Sequence, residues 1–416
     1  MRNRRNKYSY GRNRYSYGRR RRFGSVRWDR LIPVIAGIVI VLGIVLAFNF
    51  SRLQLATKGY SWSEQNAILE LTSDKISILT HEDKVDHIKT WIDLSKNVSL
   101  YDDYEKYYGY YPKMDSKDVV KTIDNYFTNY VPKLKTVGYT NSQLWTVLKD
   151  ASESDLAYLV KHKYSYNDMK PYKAVMGFQY QDMDKYIKLY NQKHNYNYAV
   201  IYTTYPFIYS SNKVTKTYRI QNPANLLNIV KKGFTLPSDY QPSDLVMPDK
   251  AYISSENGHP QLRKVAYQAF VKMAKAAAAD QEYLLLNSCF RSYSEQQKIY
   301  QQMETKYGAA YAAINAASPG SSEHQTGLGI DITSKSVDTK KVAVFGFTSE
   351  YKWLKENCYK YGFVIRYASD KTKMTGITNE PWHVRYVGTK AATLMHEKNW
   401  CLEEYVLYTG QLPQLK

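Results

Sequence analysis

His324, Asp331 and His383 are the residues of this chain whose types and placement suit a metal. The first two lie in Ser322-Glu323-His324-Gln325-Thr326-Gly327-Leu328-Gly329-Ile330-Asp331 and the third in Glu380-Pro381-Trp382-His383. Two imidazole nitrogens and one carboxylate form a ligand set suited to zinc, with a fourth position left for water. Gly327 and Gly329 argue against a continuous helix between His324 and Asp331. A turn running into a strand through Ile330-Asp331-Ile332 lets both side chains converge, and His383 closes the site from a distant segment. Glu380, restrained by Pro381, is placed to act as general base towards a metal-activated water, and to return the proton to a departing amine. Arg291 supplies a guanidinium for a substrate carboxylate or a developing oxyanion.

These residues need elements to hold them. Leu262, Val265, Ala266, Ala269, Phe270 and Met273 make one apolar helical face, ending in alanines 276–279. Tyr283-Leu284-Leu285-Leu286 reads as a short buried strand. It opens into Cys289-Phe290-Arg291-Ser292-Tyr293 and a second helix from Glu295 through Tyr307. Residues 246–416 are therefore assigned as the catalytic domain. The preceding stretch Leu236-Pro237-Ser238-Asp239-Tyr240-Gln241-Pro242-Ser243-Asp244-Leu245 breaks helical periodicity and reads as a linker.

Residues 51–245 are expected to be a mainly helical, Tyr-rich spacer. Ala67, Ile68 and Leu71, then Leu144, Val147 and Leu148, recur at helical spacing. Gly59-Tyr60-Ser61 with Glu64 is echoed by Gly138-Tyr139-Thr140 with Gln143, each copy resembling a capped helix start. The Tyr-dense segments 101–111 and 190–209 suit a spacer first and a polysaccharide-contacting surface second, since buried tyrosines commonly hide the ring and wet the hydroxyl. His81, His87, His162 and His194 have no partners at ligand spacing and read as ordinary histidines.

The chain carries a net charge of +20, but residues 1–30 hold twelve Arg or Lys against one Asp, which leaves +9 for the remainder. That tail, with its duplicated Arg-Asn-Lys-Tyr-Ser-Tyr-Gly and Arg-Asn-Arg-Tyr-Ser-Tyr-Gly, reads as a disordered cytoplasmic segment. An uncharged apolar run over 31–48 follows, and residues 31–50 are expected to be a transmembrane signal anchor. The positive-inside rule then puts the N-terminus in the cytoplasm and the rest outside the cell membrane. On this topology nucleic acid is not an expected partner. The three cysteines, Cys289, Cys358 and Cys401, are too dispersed for a CxxC metal site and read as buried thiols.

Ser-Glu-His-x-Thr-Gly-x-x-x-Asp followed by Glu-Pro-Trp-His, with Arg291, Ser292, Tyr293 and Gln296 upstream, resembles the VanY-like D-alanyl-D-alanine carboxypeptidases. These belong to the LAS group of zinc metallopeptidases, peptidase family M15, and the likeness is to membrane-anchored Gram-positive members. It extends through Trp353-Leu354 and Tyr361-Gly362-Phe363-Val364-Ile365-Arg366-Tyr367, over about residues 260–405. The resemblance implies an α+β catalytic domain with a small antiparallel sheet, the LAS/Hedgehog-like fold. It implies Zn2+ on His324, Asp331 and His383, Glu380 as base, and Arg291 with Gln296, Ser322 and Tyr293 around the substrate. That substrate is the peptidoglycan stem peptide, cut before its C-terminal D-alanine. Departures are Gly329 for the usual Ala, Cys289 for the usual Gly, and Ser318 near the Pro319-Gly320 turn, where an Arg is frequent. L,D-carboxypeptidase or endopeptidase action on the same stems, and a non-hydrolytic zinc module, are the alternatives; Glu380 speaks against the last. Oligomeric state is not specified by any of these residues.

Overall fold

The computed structural model describes residues 27–210, 213–337 and 342–416; most of the expected basic tail lies outside them. The chain divides into two compact units, residues 1–128 and 129–416.

Among the described residues of the first unit the structure is helical. Helix Trp28–Phe48 leaves apolar side chains between Trp28 and Leu46 exposed, Ile32, Val39 and Ile40 each by about three-fifths. No single described helix is long and apolar enough to cross a membrane. The pair Arg30–Leu46 and Phe50–Thr57, bent by 64° at a short break, meets that length and composition together. Further on, helix Tyr101–Tyr110 buries Tyr101, Tyr104 and Tyr107, one turn apart, while the Tyr104 hydroxyl donates to Asp124 Oδ1. The tyrosine spacing there is a core stripe.

The two Gly-Tyr-Ser/Thr segments, one in each unit, share a local structure. Gly59 and Gly138 have φ of +87° and +101°, and both Ser61/Glu64 and Thr140/Gln143 form reciprocal capping boxes. Buried Tyr60 accepts through its hydroxyl from the Val85 N–H at 2.9 Å, and buried Tyr139 donates to the Tyr164 carbonyl at 2.9 Å. Each tyrosine thus ties its helix start to backbone 25 residues later.

The second unit continues with helices from Val131–Thr136 to Tyr196–Thr204, two short ladders, and then the sheet that carries the site. Its strands are β1 (Leu284–Ser288), β2 (Gly329–Ser334), β3 (Phe363–Tyr367) and β4 (Glu380–Tyr386), in the order β1-β2-β4-β3 and antiparallel throughout. Side chains alternate across a strand. Leu284, Leu286, Ile330, Ile332, Phe363 and Val384 accordingly join Ala266, Phe270, Met273 and Ala277 of helix Lys264–Ala279 in one buried core. Asp331, His383, Arg385 and Arg366 alternate with these residues, so the same periodicity places them on the opposite face.

The stretch expected to be a linker is stitched to this core instead. The Leu236 N–H donates to Gly320 O, and the buried Gln325 amide donates to the carbonyls of Pro237 and Tyr240 at 2.9 and 3.2 Å. Prolines end helices but keep their carbonyls, and here the Pro237 carbonyl, with that of Tyr240, accepts from the NH2 of a buried amide.

Candidate metal and catalytic site

In β2 and β4, Asp331 stands directly opposite His383. His324 arrives from the 3₁₀ turn Glu323–Thr326, which Gly327 ends in the left-handed region at φ +66° before β2 begins. One ligand atom from each of His324, Asp331 and His383 lies within 4.8 Å of the others. His324 Nε2 is 3.6 Å from Asp331 Oδ2, and His383 Nδ1 is 2.9 Å from Asp331 Oδ1.

The segment after β1 orients His324. Cys289 O accepts from His324 Nδ1 at 2.7 Å, and the Arg291 N–H donates to His324 O at 3.2 Å. With Nδ1 carrying the proton, the Nε2 lone pair is directed at Asp331. Burial also holds the His324 imidazole down to about 4, against the opposing pull of Asp331, so it is neutral near pH 7. Burial alone would depress His383 likewise, but the carboxylates of Asp331 and Glu323 carry it up to about 9. Two convergent nitrogens, one of fixed tautomer, and a carboxylate held below its usual range form a donor set that fits a divalent metal.

Glu380 begins β4 opposite Tyr367, half-buried. Burial pushes its carboxyl up, His383 and Arg291 pull it down, and Asp331 and Glu323 push it up further, leaving a net upward shift. Its carboxyl is thus within electrostatic reach of His383 and Asp331. Arg291 is half-buried, with Nη1 donating to Gln296 Oε1 at 2.8 Å and a buried Nε without a hydrogen-bond partner. Gln296, 2 % exposed, is itself held by donation to Ala317 O at 2.8 Å. Tyr293 starts the helix Tyr293–Tyr307 behind a Ser292/Glu295 capping box, beside the Gly320 turn. Ser322 is buried at the head of the His324 turn. Arg291 and Gln296 are therefore joined directly. Ser322 reaches the site through the turn that carries His324.

Cys289 is fully buried in the core, so its thiol serves as filling while its carbonyl orients His324. Cys358 and Cys401 are buried free thiols as well. Sequence reading passed over the charged layer beneath the ligands. Glu323 Oε1 accepts from Arg366 Nε at 2.8 Å and is 3.0 Å from Arg385 Nη1, and all three side chains are at most 1 % exposed. The available signal was the placing of Arg366 and Arg385 next to apolar residues inside the strands Phe363–Tyr367 and Glu380–Tyr386, where an unpaired buried charge is not tolerated.

The profile of the VanY family, described as D-alanyl-D-alanine carboxypeptidase, matches residues 259–389. The putative carboxypeptidase YodJ of Bacillus subtilis (strain 168) is 42% identical over 194 residues, which is 46% of this chain and 71% of that protein. A D-alanyl-D-alanine carboxypeptidase of Enterococcus faecalis (strain ATCC 700802 / V583) is 41% identical over 140 residues, 32% of this chain and 50% of its own. Among solved structures, the LdcB LD-carboxypeptidase is 40% identical, covering 47% of this chain and 92% of its own, with a TM-score of 0.43. A vancomycin-resistance D,D-pentapeptidase VanY in complex with Zn(II) is 33% identical, covering 44% and 98%, with a TM-score of 0.37. With a 42% identical relative matched over more than two thirds of its length, and with the metal-ligand cluster inside the matched segment, the chain belongs to the VanY family of D-alanyl-D-alanine carboxypeptidases.

Proposed function

We propose that this protein is a zinc-dependent carboxypeptidase that removes the C-terminal D-alanine from peptidoglycan stem peptides. The observation that carries this reading is the convergence of His324, Asp331 and His383 beside a carboxylate and a half-buried guanidinium whose Nε is unpaired. A divalent metal held by those three residues supplies a Lewis acid and an activated water. Glu380, pushed up by burial, takes the proton of the attacking water and passes it to the departing amine. Arg291 neutralises the terminal carboxylate of the peptide, and its bond to Gln296 fixes the plane in which the guanidinium does so. Requiring a free carboxylate beside the cut makes the enzyme a carboxypeptidase rather than an endopeptidase.

D,D specificity is the reading we adopt, supported by similarity to enzymes named D-alanyl-D-alanine carboxypeptidases. Incubating the zinc-loaded protein with pentapeptide and tetrapeptide stems should release D-alanine from the pentapeptide. Release from the tetrapeptide alone would move the reading to L,D-carboxypeptidase; no release from either, in wild type as in Glu380→Ala, would sink it.

The anchor belongs to the same proposal. The basic tail and the apolar run over 31–50 hold the N-terminus in the cytoplasm and place the catalytic domain outside, where stem peptides lie. Exposed apolar side chains along Trp28–Phe48 support this. Protease added to intact cells should degrade the catalytic domain, whereas protection would reverse the topology.

A further inference from the structure

Beneath the ligands lies a pair of buried polar atoms that lack partners. Glu323 Oε2 and His383 Nε2 each make no hydrogen bond, and they face one another at 3.7 Å. Glu323 is 0 % exposed and the His383 side chain 4 %. An orphaned acceptor opposite an orphaned donor site, both sealed from water, is a costly arrangement unless the two are used together.

The other carboxylate oxygen of Glu323 cannot turn away. Oε1 is the acceptor for Arg366 Nε at 2.8 Å and lies 3.0 Å from Arg385 Nη1. Arg366 is itself fixed by two parallel bonds to Glu403, at 2.9 and 2.8 Å. Glu403 is also paired with Lys231 at 3.2 Å, and Lys231 Nζ donates to Ile208 O and Met374 O. Four other buried charged side chains thus leave Glu323 one free direction, towards His383.

We propose that Glu323 is a positioning residue for the metal site: across the 3.7 Å that separates them here, Oε2 is the acceptor that the Nε2–H of His383 closes onto when the metal is held, fixing the tautomer in which Nδ1 offers its lone pair beside Asp331. This rests on the metal reading of His324, Asp331 and His383. It gives the two histidines opposite polarity. Cys289 O holds the proton on Nδ1 of His324, and Glu323 holds it on Nε2 of His383.

Glu323→Gln reverses the logic with little change of shape. The guanidiniums of Arg366 and Arg385 can only donate, so the amide oxygen must face them, and the amide NH2 is turned on His383 Nε2. That nitrogen must then accept, and the proton moves to Nδ1, where it opposes metal binding. Glu323→Asp keeps an acceptor on both sides and should restore the wild-type tautomer.

The test uses the full chain labelled with 15N-histidine, read by long-range 1H–15N spectra with zinc bound, and zinc affinity measured by chelator competition. The His383 signals are assigned by their loss in His383→Ala. Wild type should show His383 protonated at Nε2. Glu323→Gln should bind zinc about 10–100-fold more weakly, the range for loss of a residue that orients a ligand, and Glu323→Asp should recover part of the loss. Wild-type His383 protonated at Nδ1 with zinc bound would overturn the assignment, even if neither variant folds. Equal zinc affinity in wild type and a folded Glu323→Gln would overturn it alone, whereas a wild type that takes up no zinc would remove the metal reading and this assignment with it.

Discussion

Replacing Gly329 by alanine tests how closely the metal-bearing turn is seated on the sheet. A Cβ at 329 would stand 2.9 Å from Glu323 Cβ, 3.0 Å from its carbonyl carbon and 3.1 Å from its carbonyl oxygen, where ordinary contact is 3.4–4 Å. Two of those atoms are backbone, so no rotamer change relieves the clash, and the Glu323–Thr326 turn must retreat by roughly 0.5 Å. Overpacking of this kind costs about 1–3 kcal/mol. For a folded unit of this size that lowers Tm by roughly 2–12 °C. His324 follows Glu323 directly, and ligand distances tolerate only about 0.2 Å. If the metal-free protein relaxes by moving the turn, zinc must draw it back, and the strain appears as binding weakened about 5- to 150-fold. Melting curves and chelator competition on the full chain measure both effects. Gly258→Ala is the control, since a Cβ there meets nothing within 4 Å. A Gly329→Ala protein with Tm within about 1 °C of wild type and zinc affinity within about twofold would refute the reasoning. The resemblance treats alanine here as an equivalent small residue; the distances in this chain do not.

Glu380→Gln removes the proposed general base while keeping its shape and should lower kcat about 10²–10⁴-fold, with zinc content measured alongside to show an intact site. Arg291→Lys keeps a charge but loses the fork held against Gln296, so kcat/KM should drop by about 10-fold or more, and Arg291→Ala by more still. Glu403→Gln strips a fully buried carboxylate from Arg366 and Lys231, and breaking such a pair costs about 3–5 kcal/mol, a fall in Tm of roughly 6–20 °C. Glu403 also sets a pH dependence. Burial pushes its carboxyl up, but Arg366 and Lys231 more than offset that and hold it below the usual range. A depressed folded pKa gives stability that is present above the unfolded value of about 4.3 and lost as pH falls through the folded one. The Tm gap between wild type and Glu403→Gln should therefore be full at pH 7 and shrink below about pH 4; a gap independent of pH would contradict the ion pairing.

The convergence of His324, Asp331 and His383 was legible because their types are rare and their spacing, with two glycines between His324 and Asp331, predicts a turn into a strand. Helix Lys264–Ala279 and the strand at Leu284 were legible by period. Arg291 and Gln296, five residues apart, were expected near substrate and are joined by a hydrogen bond. Glu323 was passed over because a glutamate beside a metal ligand looks solvated in one dimension. Only the cross-strand placement of Arg366 and Arg385 reveals it as buried. The residues 236–245 misled for a related reason: prolines announce the end of a helix but say nothing of where their carbonyls go, and Pro237 O receives Gln325. Tyrosine density was similarly ambiguous until Tyr101, Tyr104 and Tyr107 proved to share one buried face.

The charged layer of Lys231, Glu403, Arg366, Arg385 and Glu323 is a poor way to gain stability. Well-packed apolar residues of similar volume commonly do as well or better, because each buried ion gives up its hydration. Its geometry makes sense as a positioning device. The sheet has two faces of opposite character, an apolar one against helix Lys264–Ala279 and a polar one bearing the ligands. An apolar support on the polar face would leave His383 free to place its proton on either nitrogen. A carboxylate whose other oxygen is pinned by two guanidiniums allows one choice. The second carboxylate, Glu403, then holds the other edge of the Arg366 guanidinium by two bonds, which keeps its Nε on Glu323 Oε1. By this argument Glu403→Gln should weaken zinc binding as well as stability, and by less than Glu323→Gln does, since it acts on His383 through two intervening side chains, Arg366 and Glu323.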